Sequence, residues 1–268
     1  VTSNLSPKWR KIQALVKETT TTPDQFTLMF DSVEAIHLFI NQFLKKKANP
    51  QWNVMMQIDC GYGRAGLPTD EQATLDALIL LDKFCTLRGL YTHAGHAYHA
   101  KTRQEVIECS IQECSAMNKF CQRILPLSVD IVGVGSTPTC SNPPPNGYGK
   151  WVNEIHPGNN VYYDLQQQSL SSCELKDIAC FVLTSIVAHY PSRNQMLIDA
   201  GALALSKDQG GTFDSIGWAL IKDHQHLKIT SISQEVGIVK CKDPQAKIDF
   251  SKYPIGSTLK LLPHHSCL

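Results

Sequence analysis

The sequence predicts an α/β domain over residues 1–172 followed by an all-β domain over residues 173–268. Three observations carry that expectation. Strand-like and helix-like segments alternate through the first part, which argues a parallel sheet with crossover helices. The second part is a series of short strand patterns joined by turns, with no long helix between them. Polar groups able to do chemistry gather at the C-terminal ends of successive strands of the first part, the face on which parallel α/β sheets and barrels build their sites.

Taken in order, a helix is expected from Trp9 to Lys17 and a turn at Thr19–Pro23. A strand follows at Phe26–Asp31, then a helix at Val33–Lys46 with Ile36, Phe39, Ile40 and Phe43 at helical spacing. The next unit is a strand at Asn53–Asp59, a glycine-rich turn at Cys60–Gly66, and a helix at Asp70–Cys85 with Leu75, Leu78, Ile79 and Asp82–Phe84 on a mostly apolar stripe. Strand Gly89–His93 leads through the polar loop His96–His99 to a long helix, Thr102–Ile124. Strand Val129–Val134 ends at Gly135-Ser136-Thr137-Pro138-Thr139, and the proline-rich loop Asn142–Gly149 precedes Glu154–Asp164. The β domain is expected from strands Phe181–His189, Gln195–Asp199, Ile216–Ile221, Leu227–Ser233, Gly237–Lys240 and Thr258–Leu262.

With 43% hydrophobic and 18% charged residues in 268, the chain has the composition of an ordinary globular protein. A net charge of +1 and no basic run beyond Lys45-Lys46-Lys47 argue against nucleic acid as a partner. No apolar stretch reaches the length of a membrane span, which argues against a membrane partner. The ten cysteines have no paired spacing, so reduced thiols in a cytoplasmic compartment are expected rather than a disulfide framework.

Each polar cluster has a chemical use. Gly135-Ser136-Thr137 offers backbone N–H groups and two hydroxyls in a loop that permits close approach, which suits a phosphate; Pro157-Gly158-Asn159 repeats that at the next strand end. Ordinary turn chemistry is the alternative for both loops. His93 stands where a ring could stack on a flat cofactor, unless it is a hydrogen-bonded core histidine. The guanidinium of Arg64 suits an anionic oxygen, unless it is a surface or salt-bridged arginine. At the other end of the chain, His265-Ser266-Cys267 places an imidazole and a thiol two positions apart. On an extended strand those two would share one face and make half of a tetrahedral zinc site. A small core thiol beside a surface histidine is the alternative.

Taken together, these motifs resemble a known class. Ile58-Asp59-Cys60-Gly61-Tyr62-Gly63-Arg64-Ala65-Gly66 resembles the strand end of fold-type III pyridoxal-phosphate enzymes, the alanine racemase-like class. Tyr91-Thr92-His93-Ala94-Gly95-His96, Gly135–Thr139, Glu154-Ile155-His156-Pro157-Gly158-Asn159 and Ile198-Asp199-Ala200-Gly201 continue that resemblance in order. The terminal His265-x-Cys267 resembles the zinc site of the eukaryotic-type D-serine dehydratase family, and the resemblance covers about Pro7 to Leu268.

The resemblance implies an alanine racemase-like partial (β/α)8 barrel of about five strands followed by a β domain. It also implies pyridoxal 5′-phosphate and Zn2+ as cofactors, a D-amino acid substrate and a homodimer. Tyr98, Thr137, Gly158 and Asn159 would contact the cofactor, with Ser136 and Tyr163 behind them. His93 would pack on its ring, Arg64 would face its phenolic side or the substrate, and His265 and Cys267 would hold the zinc. His156 and Glu154 are the nearest candidates for the partner of the pyridine nitrogen. The implied reaction is Cα deprotonation and zinc-assisted loss of the β-hydroxyl, giving pyruvate and ammonia from D-serine. D-threonine aldolase is the rival within the class, but it carries an aspartate where Cys267 stands, and a thiolate favours zinc over manganese. A catalytically inactive homologue that binds the cofactor weakly is the non-enzymatic alternative.

The chain departs from the family pattern in three ways. The family's Schiff-base lysine ends its first barrel strand, whereas this chain is expected to begin inside the third βα unit, roughly 90 residues further on at about 30 residues per unit. The chain also stops just past the metal pair, where the family continues, so it is expected to be a fragment of a longer enzyme. Val236 stands where relatives usually carry a histidine.

Overall fold

The computed structural model describes Lys11, Ala14 and residues 25–41, 52–208 and 217–267, which divide into two compact units. The first unit comprises Val1–Tyr98 and Gln104–Pro157, and the second His99–Arg103 and Gly158–Leu268. The expected helix at Trp9–Lys17 and turn at Thr19–Pro23 lie outside the described residues, except that Lys11 and Ala14 are helical. Residues 42–46 of the helix expected over Val33–Lys46 and the first residue of the strand expected over Ile216–Ile221 lie outside them as well.

In the first unit, strands β1 (Thr27–Phe30), β2 (Asn53–Gln57), β3 (Thr86–Tyr91), β4 (Ile131–Val134) and β5 (Glu154–Ile155) form one parallel sheet in the order β1-β2-β3-β4-β5. Each strand lies beside its successor, with Thr27 opposite Asn53, Asn53 opposite Thr86, Gly89 opposite Ile131 and Gly133 opposite Glu154. Sequential order with helical crossovers is the winding of a (β/α)8 barrel, and five of its strands are seen. Helices α1 (Val33–Phe39), α2 (Gln72–Phe84) and α3 (Arg103–Arg123) supply the crossovers. Helix α1 starts where the Ser32 hydroxyl accepts from Ala35 N at 3.2 Å, and it buries Ala35, Ile36 and Phe39. The core joins Ile36, Leu78, Leu81, Met117 and Phe120 of the helices to Val54, Met56, Ile58 and Leu90 of the sheet. Each such side chain contributes about 1.5–3 kcal/mol by leaving water.

Helix α2 stops at Phe84, and strand β3 begins at Thr86, three residues before the expected Gly89. The Cys85 N–H still reaches Leu81 O at 2.8 Å, so the helix ends and the strand starts within one residue. Helix α4 (Thr137–Ser141) was not foreseen, because Thr-Pro-Thr after glycine and serine reads as a turn. Pro138 sits in its first turn, where its missing N–H costs nothing.

The turn after β2 brings backbone close against backbone beside Asp59. Asp59 Oδ1 accepts from Gly61 N at 3.0 Å and Gly63 N at 3.1 Å, and the chain then folds back so that Asp59 N donates to Leu67 O at 2.9 Å. Gly66 has φ +109°, and a Cβ there would stand 2.6 Å from Asp59 N. Gly66→Ala therefore costs about 2 kcal/mol or more from strain and overlap. The expected result is a fall in Tm of roughly 4–8 °C; an unchanged Tm would show that the turn relaxes freely.

The second unit starts with α5 (Leu165–Ser169) and continues into a six-stranded antiparallel sheet. Its strands are β6 (Val182–Tyr190), β7 (Gln195–Ile198), β8 (Ala219–Ile221), β9 (Leu227–Ile232), β10 (Gly237–Cys241) and β11 (Thr258–Pro263), in the order β8-β11-β6-β7-β10-β9. The short helix α6 (Ala202–Leu205) is its one α-helix between strands among the described residues. Alternation along β9 and β10 buries Leu227, Ile229, Val239 and Cys241, and the core also holds Ile186, Met196, Ile198 and Leu261. All ten cysteines are free thiols, and no described helix is long and apolar enough to cross a membrane.

Candidate active site

In the first unit the candidate residues gather at the C-terminal ends of β2, β3 and β4. His93 follows β3, and its Nδ1 lies 3.1 Å from Gly135 O, so that nitrogen carries the proton and Nε2 keeps a lone pair. Burial holds His93 below the usual imidazole range, with the Gly135 carbonyl opposing and the Arg64 guanidinium adding to the depression. A neutral ring is thereby favoured at this strand end.

Arg64 is exposed, with its guanidinium 5.1 Å from the centroid of Tyr62. The Tyr62 ring lies 6.1 Å from both His93 and His96 and packs so closely on Gly95 that a Cβ there would be 2.2 Å from Tyr62 Cε1. Tyr62 thus ties Arg64 to His93. Tyr98 is half-buried on the 3₁₀ turn Gly95–His99 that replaces the expected loop.

Ser136 and Thr137 are both buried. The Ser136 hydroxyl is engaged inside the protein, 3.2 Å from both Ala94 O and Thr139 Oγ1, while Ser136 N donates to Thr139 Oγ1 at 3.0 Å. Thr137 opens helix α4. Of the two candidates for the pyridine nitrogen, His156 Nε2 pairs with Glu154 Oε1 at 2.9 Å. The His156 ring packs on Tyr91 and lies over Gly133, where a Cβ would be 2.5 Å from Nε2.

One residue organises this end of the unit, and sequence reasoning did not single it out. Glu113 is 1% exposed, and its Oε1 accepts from Gly135 N at 2.8 Å and Ala94 N at 3.1 Å. Its Oε2 accepts from Thr139 Oγ1 at 3.1 Å. Burial pushes its carboxyl up to about 7, against the three hydrogen bonds that favour the charged form. The signal was present: Val106, Ser110, Glu113, Met117 and Phe120 follow helical spacing on the buried side of α3.

In the second unit Gly158 is exposed, with nothing within 4 Å of where a Cβ would stand, while Asn159 is buried. Tyr163 is half-buried with φ +54°, and Asp164 caps α5 by accepting from Gln167 N at 2.8 Å. His265 and Cys267 do not lie on a strand. Strand β11 ends at Pro263, and the pair follows in a turn, so the strand argument for a shared face does not apply. The turn is pinned by His264 N donating to Trp218 O at 2.9 Å and by Asp164 and Asn159 holding Ser266.

His265 Nδ1 lies 2.8 Å from Asp208 Oδ2, which fixes that proton toward the carboxylate and leaves Nε2 as the donor atom. Carboxylate-held imidazoles are typical of metal-binding histidines. Asp208 was not anticipated, because a lone aspartate 57 positions upstream has no sequence spacing to mark it. Cys267 is exposed at the end of the described chain. Among the described residues no group of three or more His, Cys, Asp or Glu side chains converges to form a metal cage.

Known proteins share this arrangement of elements. The family described as alanine racemase, N-terminal domain, matches residues 15–166, and the family described as Putative serine dehydratase domain matches residues 179–268. A D-serine dehydratase from Dictyostelium discoideum is 37% identical over 262 residues, covering 91% of this chain and 66% of its own length. The chain thus spans about two thirds of that relative.

Two solved structures of a D-threo-3-hydroxyaspartate dehydratase superpose closely. One, with a histidine replaced by alanine, has a TM-score of 0.85 at 26% identity, covering 97% of this chain and 68% of its own. The other, with a cysteine replaced by alanine and described as the metal-free form, has a TM-score of 0.84 at 25% identity, covering 99% and 70%. The two replaced residues stand two positions apart in that enzyme. With the parallel sheet in the one matched segment and the antiparallel sheet in the other, the chain belongs to the alanine racemase N-terminal domain family, in the branch that carries a serine dehydratase domain.

Proposed function

We propose that the protein bearing this chain is a pyridoxal-phosphate- and zinc-dependent D-serine dehydratase, which forms pyruvate and ammonia and works as a cytoplasmic homodimer. The observation that carries the reading is the turn His265-Ser266-Cys267, with His265 Nδ1 held by Asp208. Its histidine and cysteine have the spacing of the pair replaced in the related dehydratase, whose cysteine variant is described as metal-free.

The residues present fit both groups. An imidazole that presents Nε2 and a thiolate two positions on are donors that suit zinc. Gly158 offers an open approach to backbone at the end of β5, as a phosphate requires. When bound, pyridoxal phosphate supplies an electron sink at Cα, and zinc supplies a Lewis acid for the departing hydroxyl. Thr137, Gly158 and Asn159 then hold the phosphate, with Tyr98, Ser136 and Tyr163 supporting them. His93, kept neutral, gives the ring a flat and uncharged neighbour. Arg64, steadied on Tyr62, offers its donors to the phenolic oxygen or the substrate carboxylate. Asp208 orients His265. None of this chain's lysines is assigned as the base. Outward-facing Leu183 and Val187 on β6, 60% and 41% exposed, support a second copy as the partner.

The test is direct. The whole protein, loaded with pyridoxal phosphate and zinc, is expected to form pyruvate from D-serine. Stripping the metal with a chelator lowers the rate at least 100-fold, and added zinc restores it. Pyruvate formation that continues unchanged after zinc is shown to be absent would sink the metal part of the reading. No pyruvate from the fully loaded protein would sink the reaction.

A further inference from the structure

We infer that Asp164 is a positioning residue that couples the cofactor-binding loop at Asn159 to the metal-binding turn at His265 and Cys267. The inference rests on the proposed function and goes beyond it, because it assigns a link between two sites that the reaction alone would allow to be independent.

The link is a closed triangle of side chains. Asp164 is fully buried, and its Oδ2 accepts from Asn159 Nδ2 at 2.5 Å and from Ser266 N at 2.9 Å. The Ser266 hydroxyl points at Asn159 Oδ1 (3.1 Å) and at Asp164 Oδ2 (3.3 Å). Capping α5 requires only the other oxygen, Oδ1, which accepts from Gln167 N. A residue that served only as a helix cap would leave Oδ2 for solvent. Here Oδ2 instead reaches more than a hundred positions along the chain, to the residue between the two metal donors.

Two consequences follow. Asn159 is 6% exposed and spends both ends of its amide on this triangle, so the loop's contribution to a phosphate falls to its backbone beside Gly158. Ser266 is flanked on either side by a metal donor, so whatever fixes its amide and hydroxyl also fixes the directions of the flanking side chains. A phosphate that orders the Gly158–Asn159 backbone orders the acceptors of Ser266. A metal that orders His265 and Cys267 orders the donors to Asn159 and Asp164. Each ligand lowers the conformational cost of binding the other, and the coupling is reciprocal.

The experiment measures zinc affinity of the whole protein by chelator competition, with and without saturating pyridoxal phosphate. Zinc is expected to bind at least tenfold more tightly to the cofactor-loaded protein, and cofactor affinity, read by absorbance, should rise by the same factor when zinc is present. Ser266→Ala is expected to reduce that ratio below threefold while the protein stays folded; Ser266→Thr, which keeps the hydroxyl, should retain most of it. Asp164→Asn should bring the ratio to about one; should that variant fail to fold, the serine pair decides. Binding of both ligands with a ratio near one in the parent, or a full ratio in Ser266→Ala, would overturn the coupling and leave the dehydratase reading intact. Failure to bind either ligand would overturn both.

Discussion

Glu113→Ala is expected to destabilise the barrel unit by about 3–5 kcal/mol, lowering Tm by roughly 10 °C. The Ala94 and Gly135 amides lose their shared acceptor, and both residues are buried, so water cannot replace it without rearrangement. A cavity adds to the loss. Activity should fall further than stability alone requires, because Ala94 follows His93 and the Gly135 carbonyl holds the His93 ring. Glu113→Gln separates shape from charge. Its amide oxygen can still accept from both amides, so the fold should survive.

The pH dependence of that pair follows from the raised carboxyl. The ordinary carboxyl of the unfolded chain ionises near 4.5, whereas the buried one holds its proton to about 7. The folded state therefore keeps a proton that the unfolded state has lost between those values. The resulting stabilisation is fully present below pH 4.5 and is lost as pH rises through 7. Glutamine has no proton to lose. From pH 5 to pH 8 the glutamine variant should gain on the parent by about 3 kcal/mol, read as a relative shift of urea midpoints. Parallel midpoints across that range would show that Glu113 is ionised in the folded protein throughout.

Much of the fold was legible because its signals are local. The βα rhythm, the buried Ile36, Leu78 and Met117 at helical spacing, and the alternating β9 and β10 all sit within one element each. The five-stranded parallel sheet and the antiparallel sheet that follows it in the sequence are what those patterns predict. The misreadings lie where neighbours in space decide. Thr137–Ser141 became a helix because Thr139 and Ser136 close on each other. The His265–Cys267 stretch left the strand because Asp164 and Asn159 capture Ser266. Glu113, Asp164 and Asp208 were passed over for the same reason: each looks like a solvated or capping carboxylate until the distant amide, hydroxyl or imidazole it meets is known. Tyr62 was quoted only as part of a motif, and its position between Arg64 and His93 needed coordinates.

Cys267→Ala and His265→Ala should each abolish stoichiometric zinc and reduce pyruvate formation from D-serine by roughly 10²–10⁴-fold, since a Lewis acid at a poor leaving group is worth several kcal/mol. Pyridoxal phosphate should still bind in both variants, at the weaker affinity of the zinc-free parent, because the proposed phosphate loops are built from other residues. Asp208→Ala should be milder, a 10–100-fold loss of zinc affinity, as it removes only the group that aims His265. The ordering of these three effects separates a metal site from a structural turn: a turn would suffer most from losing the carboxylate contact, a metal site from losing a donor. Cys267→Asp sharpens the contrast with the retro-aldol rival. A hard oxygen donor should move metal preference from zinc toward manganese. If that variant with manganese forms glycine and acetaldehyde from D-threonine while losing pyruvate formation, the donor at position 267 selects the reaction. If instead it eliminates as fast as the parent, selection lies elsewhere, and Val236, in the β9–β10 turn, becomes the residue to exchange next.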